Sequence, residues 1–279
     1  MIDEPGVKRF PVPKGELERH AGHGEQLSFV DTYRDKGWLS MRGIFPHGLI
    51  DGVRASYAKQ VVALQAEDGG FVSHRQVGAK RKMFSVQLTD SFLDPSLYAN
   101  PMLIGVLTML LGKDLLIDNF TCVTALPGAE EQELHFDHVD LFPEEEALRG
   151  AVPPYAVTAA IPLIDLDEDT GTTRLLSGSH LGKPSDRSEV PYLHRGDCFL
   201  MDYRLWHHGT ANRSEVERPI LYIVFARSWF TDMRNFNRQP RLRMTPEDFL
   251  KVPRQHRALF RRLAARGAFD RSEAELLGQ

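Results

Sequence analysis

Leu115-Leu116-Ile117-Asp118-Asn119-Phe120-Thr121-Cys122-Val123-Thr124-Ala125-Leu126, residues 115–126, follows Gly112 and runs into Pro127-Gly128. A β-branched and aromatic run bounded by turn residues reads as a strand. It opens a region, reaching to about Arg227, of successive strands separated by glycine, proline and acidic turns. The candidates are Leu115–Leu126, Glu133–Asp137, Tyr155–Ile164, Thr173–Leu176, Cys198–Asp202 and Ile220–Ala226. Antiparallel strands with no helical crossovers between them favour a jelly roll or double-sheet barrel, so the chain is expected to be mainly β with flanking helices.

Upstream the texture is helical. Phe29, Tyr33 and Trp38 recur at roughly helical spacing, with Ser28 as N-cap and Gly37 as a stop. Leu49, Ile50, Val53, Tyr57, Val61 and Leu64 form one apolar stripe from about Pro46 to Glu67, ended by Gly69-Gly70. Pro101 to Gly112 is apolar enough for a buried helix. Between them, Phe71 to Asp94 mixes basic and aromatic residues without a period, as a lid or a solvated basic loop would. Residues 1–25, rich in proline, glycine and charge, read as a surface arm. Downstream, Thr245-Pro246-Glu247-Asp248 is a capped helix start, with a terminal helix expected around Arg254–Ala265.

The 279 residues carry 34 basic against 38 acidic side chains, a net charge of −4 that gives no reason to expect nucleic acid or an anionic membrane as partner. Cys122 and Cys198 sit in apolar runs, where buried free thiols are expected, and fit a reducing cytoplasm. The beginning of the chain shows no basic segment followed by an apolar run, so neither export nor a membrane anchor is expected.

The chemistry is concentrated in Leu134-His135-Phe136-Asp137-His138 and Arg204-Leu205-Trp206-His207-His208-Gly209. In an extended segment His135 and Asp137 point the same way. His207, brought in by the fold, would complete two histidines and one carboxylate, the facial set that holds non-haem Fe(II) with open positions. The His135/Asp137 spacing alone occurs by chance in many chains.

Further landmarks accompany it. Leu126-Pro127-Gly128 precedes Gln132-Glu133-Leu134-His135-Phe136-Asp137; Gly171-Thr172-Thr173-Arg174-Leu175-Leu176 leads to Ser177-Gly178-Ser179-His180; Gly196-Asp197 follows; and Trp206-His207-His208-Gly209-Thr210-Ala211-Asn212-Arg213-Ser214 leads to Arg218-Pro219. In this order, over about Asn100 to Asp232, the chain resembles the phytanoyl-CoA dioxygenase-like Fe(II)/2-oxoglutarate-dependent oxygenases.

The resemblance implies a double-stranded β-helix, the cupin-like jelly roll, and with the reading above a single oxygenase domain is expected over 1–279: 1–25 the surface arm, 26–112 mainly helical support and a possible lid, 113–232 the jelly-roll core, 233–279 C-terminal helices. It implies His135, Asp137 and His207 as iron ligands, His207 being chosen over His208 because it directly follows the aromatic position and precedes Asn212 by five residues. It implies Arg218 on the distal carboxylate of 2-oxoglutarate, a task suited to a planar guanidinium, with Gln132 and Thr173 as further co-substrate contacts or as turn and strand hydrogen bonders. His208 and His138 are expected to face away from the ligand set, and His180 to serve a turn. The implied reaction consumes O2 and 2-oxoglutarate, releases succinate and CO2, and hydroxylates or otherwise oxidises an unactivated C–H bond of a small molecule, a secondary metabolite by the breadth of the family. Phe71, Phe84, Phe142 and Trp229 are candidate pocket walls, and Arg75 or Lys82 an anchor for an acid. A Zn2+-dependent hydrolase or isomerase using the same triad, and a silent binding protein on the barrel, remain as alternatives; a hydrolase has no need of the Arg218 clamp.

Overall fold

In the computed structural model, which describes residues 23–68, 74–75, 78–148, 150–182, 186–232, 235 and 240–265, helix α1 spans His23–Lys36. It begins before Ser28, which is therefore an interior residue and not the N-cap; its carbonyl accepts from Thr32 Oγ1 at 2.9 Å. Gly37 ends the helix as expected, but Trp38 has left it for β1, Trp38–Met41. Helix α2, His47–Asp68, turns Ile50, Val53 and Tyr57 into the core. Most of the 1–25 arm, Phe71, and everything beyond residue 265 lie outside the described residues.

Part of the basic stretch is neither loop nor lid. After β2, His74–Arg75, the segment Arg81–Ser85 forms β3, paired with the 115–125 strand, and Arg81 is only 2% exposed. The lid reading is corrected there because the register against a central strand, invisible in local periodicity, converts a charge run into sheet. After the one-turn helix α3, Pro95–Tyr98, helix α4, Pro101–Leu111, is capped by Asn100, whose Oδ1 accepts from Met102 N at 3.0 Å and Leu103 N at 3.2 Å.

The strands that follow are β4 Leu115–Ala125, β5 Ala156–Pro162, β6 Thr173–Leu176, β7 Ser188–Glu189, β8 Cys198–Asp202, β9 His207–Gly209 and β10 Arg218–Arg227. The large sheet runs β1-β8-β5-β10-β4-β3-β2 and the small one β7-β6-β9, with antiparallel neighbours throughout. Along β10, Leu221, Ile223 and Phe225 join the core shared with the helices, while Ile220 packs with Leu175 and Leu205 between the two sheets. Burial on both faces explains why these strands read as continuous apolar runs. The result is the jelly-roll barrel, and both cysteines are buried free thiols within it.

Two expectations need correction. Glu133–Asp137 is not a ladder strand: only His135 bridges, to His207. Arg254–Phe260 is a 3-10 helix, followed by helix α6, Arg262–Ala265, after the expected capped helix α5, Pro246–Lys251. No helix among the described residues is long and apolar enough to cross a membrane.

Candidate active site

Three backbone ties attach the 132–138 segment to the segment carrying β9. Gln132 N donates to Gly209 O at 2.9 Å, His135 N and His207 O exchange with His207 N and His135 O at 3.0 and 2.7 Å, and His138 N donates to Tyr203 O at 3.0 Å. The anchors advance by three residues on one side for two and then four on the other, so the pairing cannot propagate as a ladder. It nevertheless sets His135 directly across from His207. The turn before His207 is braced by a buried fork, Arg204 Nε and Nη2 donating to Asp202 Oδ1 and Oδ2 at 2.8 and 2.9 Å.

His135, Asp137 and His207 converge, with ligand-capable atoms within 4.8 Å of one another, the only such group found among the described residues. The two rings are 4.5 Å apart between centroids, and His207 Nε2 lies 3.8 Å from Asp137 Oδ1. His135 Nδ1 bonds Glu133 O and His207 Nδ1 bonds Leu205 O, each at 2.8 Å. A carbonyl only accepts, so each Nδ1 carries a proton, and Nε2 is the nitrogen each ring would offer as a ligand. Burial pushes the His207 imidazole below its ordinary value against the opposing pull of Asp137, which favours the neutral form. Asn235 Nδ2 donates to the Asp137 carbonyl at 2.8 Å and to Asp232, which also accepts from Tyr203 Oη at 2.7 Å.

The triad opens on a cavity of about 840 Å3 whose wall includes Arg81, Gln132, Thr173, Tyr203 and Tyr222. Gln132 Oε1 accepts from Gly209 N at 2.8 Å, and the Thr173 hydroxyl bonds Tyr222. Arg218 is not in the wall itself. It stands behind Gly209, whose absent Cβ would lie 3.5 Å from Arg218 Nη2. Arg218 Nη1 donates to Thr170 O and Thr210 O at 2.9 and 3.1 Å, and Arg81 Nη2 to Thr210 O at 2.8 Å. No carboxylate of the described residues forms an ion pair with either, and burial lowers the Arg218 guanidinium to about 10. Arg81 is the site residue that sequence reasoning missed. Its place in Lys80-Arg81-Lys82 carries no signal; only the register opposite Ala125 reveals it.

The remaining histidines separate from the triad. His208 turns toward Glu131, 3.9 Å away. His138 packs among Tyr155, Tyr203 and Phe230, and His180 is buried in a 3-10 turn beside Arg34. The expected aromatic walls are not walls. Phe84 packs edge-on to Tyr57 in the helix-side core, on the face of β3 turned away from the cavity, and Phe142 and Trp229 lie in exposed turns outside the cavity lining. Lys82 is likewise absent from the wall, and the Arg75 side chain lies outside the described residues.

Known proteins are similar to this chain in part of its sequence or in its fold. The dioxygenase andF of Emericella variicolor is 30% identical over 121 residues, covering 41% of this chain and 42% of that protein. The chain spans less than half the length of the first curated relatives it matches. Among solved structures, the non-heme alpha ketoglutarate dependent carbocyclase SnoK from nogalamycin biosynthesis superposes with a TM-score of 0.58 at 17% identity, covering 77% of this chain and 91% of that one. HygX from Streptomyces hygroscopicus, solved with nickel and 2-oxoglutarate bound, gives 0.56 at 17% identity over the same shares. These two likenesses concern the fold. The phytanoyl-CoA dioxygenase model matches residues 33–220, more than half of the sequence, and the chain belongs to the phytanoyl-CoA dioxygenase family.

Proposed function

We propose that the protein is an Fe(II)- and 2-oxoglutarate-dependent dioxygenase that oxidises an unactivated C–H bond of a small molecule, a secondary metabolite by analogy with its relatives. The observation that carries this reading is a pair of buried guanidiniums with no carboxylate partner among the described residues, beside a triad of two imidazoles and one carboxylate. His135, Asp137 and His207 would hold Fe(II), a donor set of two imidazoles and one carboxylate that suits non-haem iron. When bound, the metal with 2-oxoglutarate and O2 supplies oxidative decarboxylation to succinate and CO2 coupled to insertion of the second oxygen atom into a C–H bond.

The chain's own residues bind, orient and exclude. Arg218 and Arg81 hold the distal carboxylate of the keto acid and thereby set its distance from the triad; Thr173 and Tyr222 line the path between them. Gln132, whose side-chain oxygen is already engaged by Gly209 N, keeps the His135 segment against β9. Phe136 and Trp206, edge to face at 4.7 Å, shield the ligand segments. A non-redox hydrolase has no use for the guanidinium pair.

The test is anaerobic addition of Fe(II) and then 2-oxoglutarate to the purified protein, with His207→Ala as control. A visible charge-transfer band that the variant lacks supports the reading. Zn2+ binding that sustains hydrolysis of a model substrate, with no band under Fe(II), overturns it.

A further inference from the structure

Asn119 on β4, Val224 on β10, Thr158 on β5 and Met201 on β8 are successive cross-strand partners, forming one row across the inner face of the large sheet. All four line the cavity. Asn119 and Thr158 are 1% and 2% exposed, yet Asn119 Nδ2 and Thr158 Oγ1 have no hydrogen-bond partner among the described residues. A buried donor or hydroxyl left unpaired costs about 1–3 kcal/mol. Native interiors pair nearly all such groups. Two orphans in one cavity wall therefore mark where a partner arrives from outside the chain.

Spacing and charge limit what that partner is. Neighbouring strands lie about 4.8 Å apart, so Asn119 and Thr158 flank Val224 at roughly 10 Å. Val224 is itself 3% exposed and packs with Leu116, Tyr155 and Tyr203, so the row sets a polar group on either side of an apolar one. The row holds no ionisable group. The charges lie elsewhere on the wall: Arg81, then Glu130, Glu131 and Glu133 in the segment before the triad, and Asp137 of the triad itself, whose carboxylate is committed to the metal site. Glu131 already faces Arg174 at 3.7 Å and His208 at 3.9 Å. A cavity of about 840 Å3 matches small-molecule sites.

We propose that the Asn119–Val224–Thr158–Met201 row is the substrate floor, and that it recognises a neutral, largely apolar molecule through its carbonyl or hydroxyl oxygens. The assignment rests on the cavity being the substrate site of the proposed oxygenase and adds the chemistry by which the substrate is chosen. A site built to hydrogen-bond an oxygen discriminates strongly against analogues lacking it, because its polar groups are then left unpaired.

The experiment measures anaerobic binding of four bicyclic probes to the full chain by ligand-observed NMR: decalone, decalol, aminodecalin and decalin carboxylic acid, with and without Fe(II) and 2-oxoglutarate. The ketone and alcohol are expected to bind more tightly than the ammonium and the carboxylate. Asn119→Leu and Thr158→Val are each expected to weaken the ketone about fivefold, while Tm is unchanged or rises because an unpaired buried group has been removed. Preference for the ammonium would assign recognition to the glutamates and overturn the proposal. So would preference for the carboxylate, binding of none of the probes at millimolar concentration, unchanged ketone affinity in both variants, or a Tm fall of several degrees in both. Because binding is read without turnover, a charge-transfer band without decalone binding fails this inference alone. Decalone binding without a band fails the oxygenase reading alone.

Discussion

Arg81 and Arg218 stand on one row of the large sheet, both opposite Ala125, and their guanidiniums donate to the same Thr210 carbonyl at 2.8 and 3.1 Å. Two buried cations that share a neutral acceptor repel each other and lose hydration, an arrangement that an incoming carboxylate relieves. Arg218→Ala is expected to raise the 2-oxoglutarate concentration for half-saturation about thirtyfold or more, with Arg81→Ala acting in the same direction. Fe(II) affinity should change by no more than about twofold. Equal loss of iron and keto acid in titrations would mean the residues are misassigned.

Ligand-dependent stability follows from the same pair. Burial lowers the Arg218 guanidinium to about 10, below its unfolded value, so at pH values below that point, where the group is charged in both states, burying its charge subtracts from the stability of the fold. A dicarboxylate reverses this penalty. In thermal unfolding with Mn2+ present, 2-oxoglutarate is expected to raise Tm in the native protein and to leave an Arg81→Ala/Arg218→Ala double variant unmoved.

Gly171 makes room for Arg218. Its φ is +72°, and a Cβ there would overlap the Ala211 carbonyl oxygen first and stand 2.5 Å from Arg218 Nη1 and 2.6 Å from Thr210 Oγ1. Gly171→Ala should destabilise the protein by about 1–3 kcal/mol and weaken 2-oxoglutarate more than Fe(II), as denaturant melts and paired titrations will report. A change in stability with no change in keto-acid affinity would separate the glycine from the clamp.

The adjacent histidines should behave differently. His207→Ala is expected to reduce metal affinity by a hundredfold or more, on the order of a lost ligand. His208→Ala, whose ring turns toward Glu131, should retain it within about threefold. Isothermal titration with Mn2+ decides between them, and the reverse ranking would exchange their roles.

Asp197 predicts an acid-side loss of stability. Burial opposes its ionisation, but the Gly43 and His194 amides at 2.8 and 2.9 Å and the Arg42 guanidinium outweigh it and hold the carboxyl below the usual carboxylate range. A depressed folded value contributes stability above the unfolded value of about 3.9. That contribution disappears as pH falls through the folded value. Asp197→Asn should cost about 1.5–3 kcal/mol at neutral pH, and its difference from the native protein should shrink below about pH 4. A pH-independent difference would show that packing, not charge, is involved.

The helical stripe of Ile50, Val53 and Tyr57, the buried helix after Asn100, the capped start at Thr245, and the long strands after Gly112 were legible because each is set by residues a few positions apart. The pairing of His135 and Asp137 with a distant histidine was legible as chemistry, since the spacing of side chains in an extended segment is local geometry. Arg81 and the true cavity wall were not legible.

What the sequence alone determined was the mainly β core, the flanking helices and which residue types gather at one site. What only the tertiary structure decided was register: Arg81 and Arg218 opposite Ala125, His135 across from His207, and Asn119 and Thr158 on one row astride Val224. The physical reason is that a strand's own alternation says which side chains share a face, while the neighbour each meets across the sheet depends on pairing with segments far away in the chain, which no local period encodes.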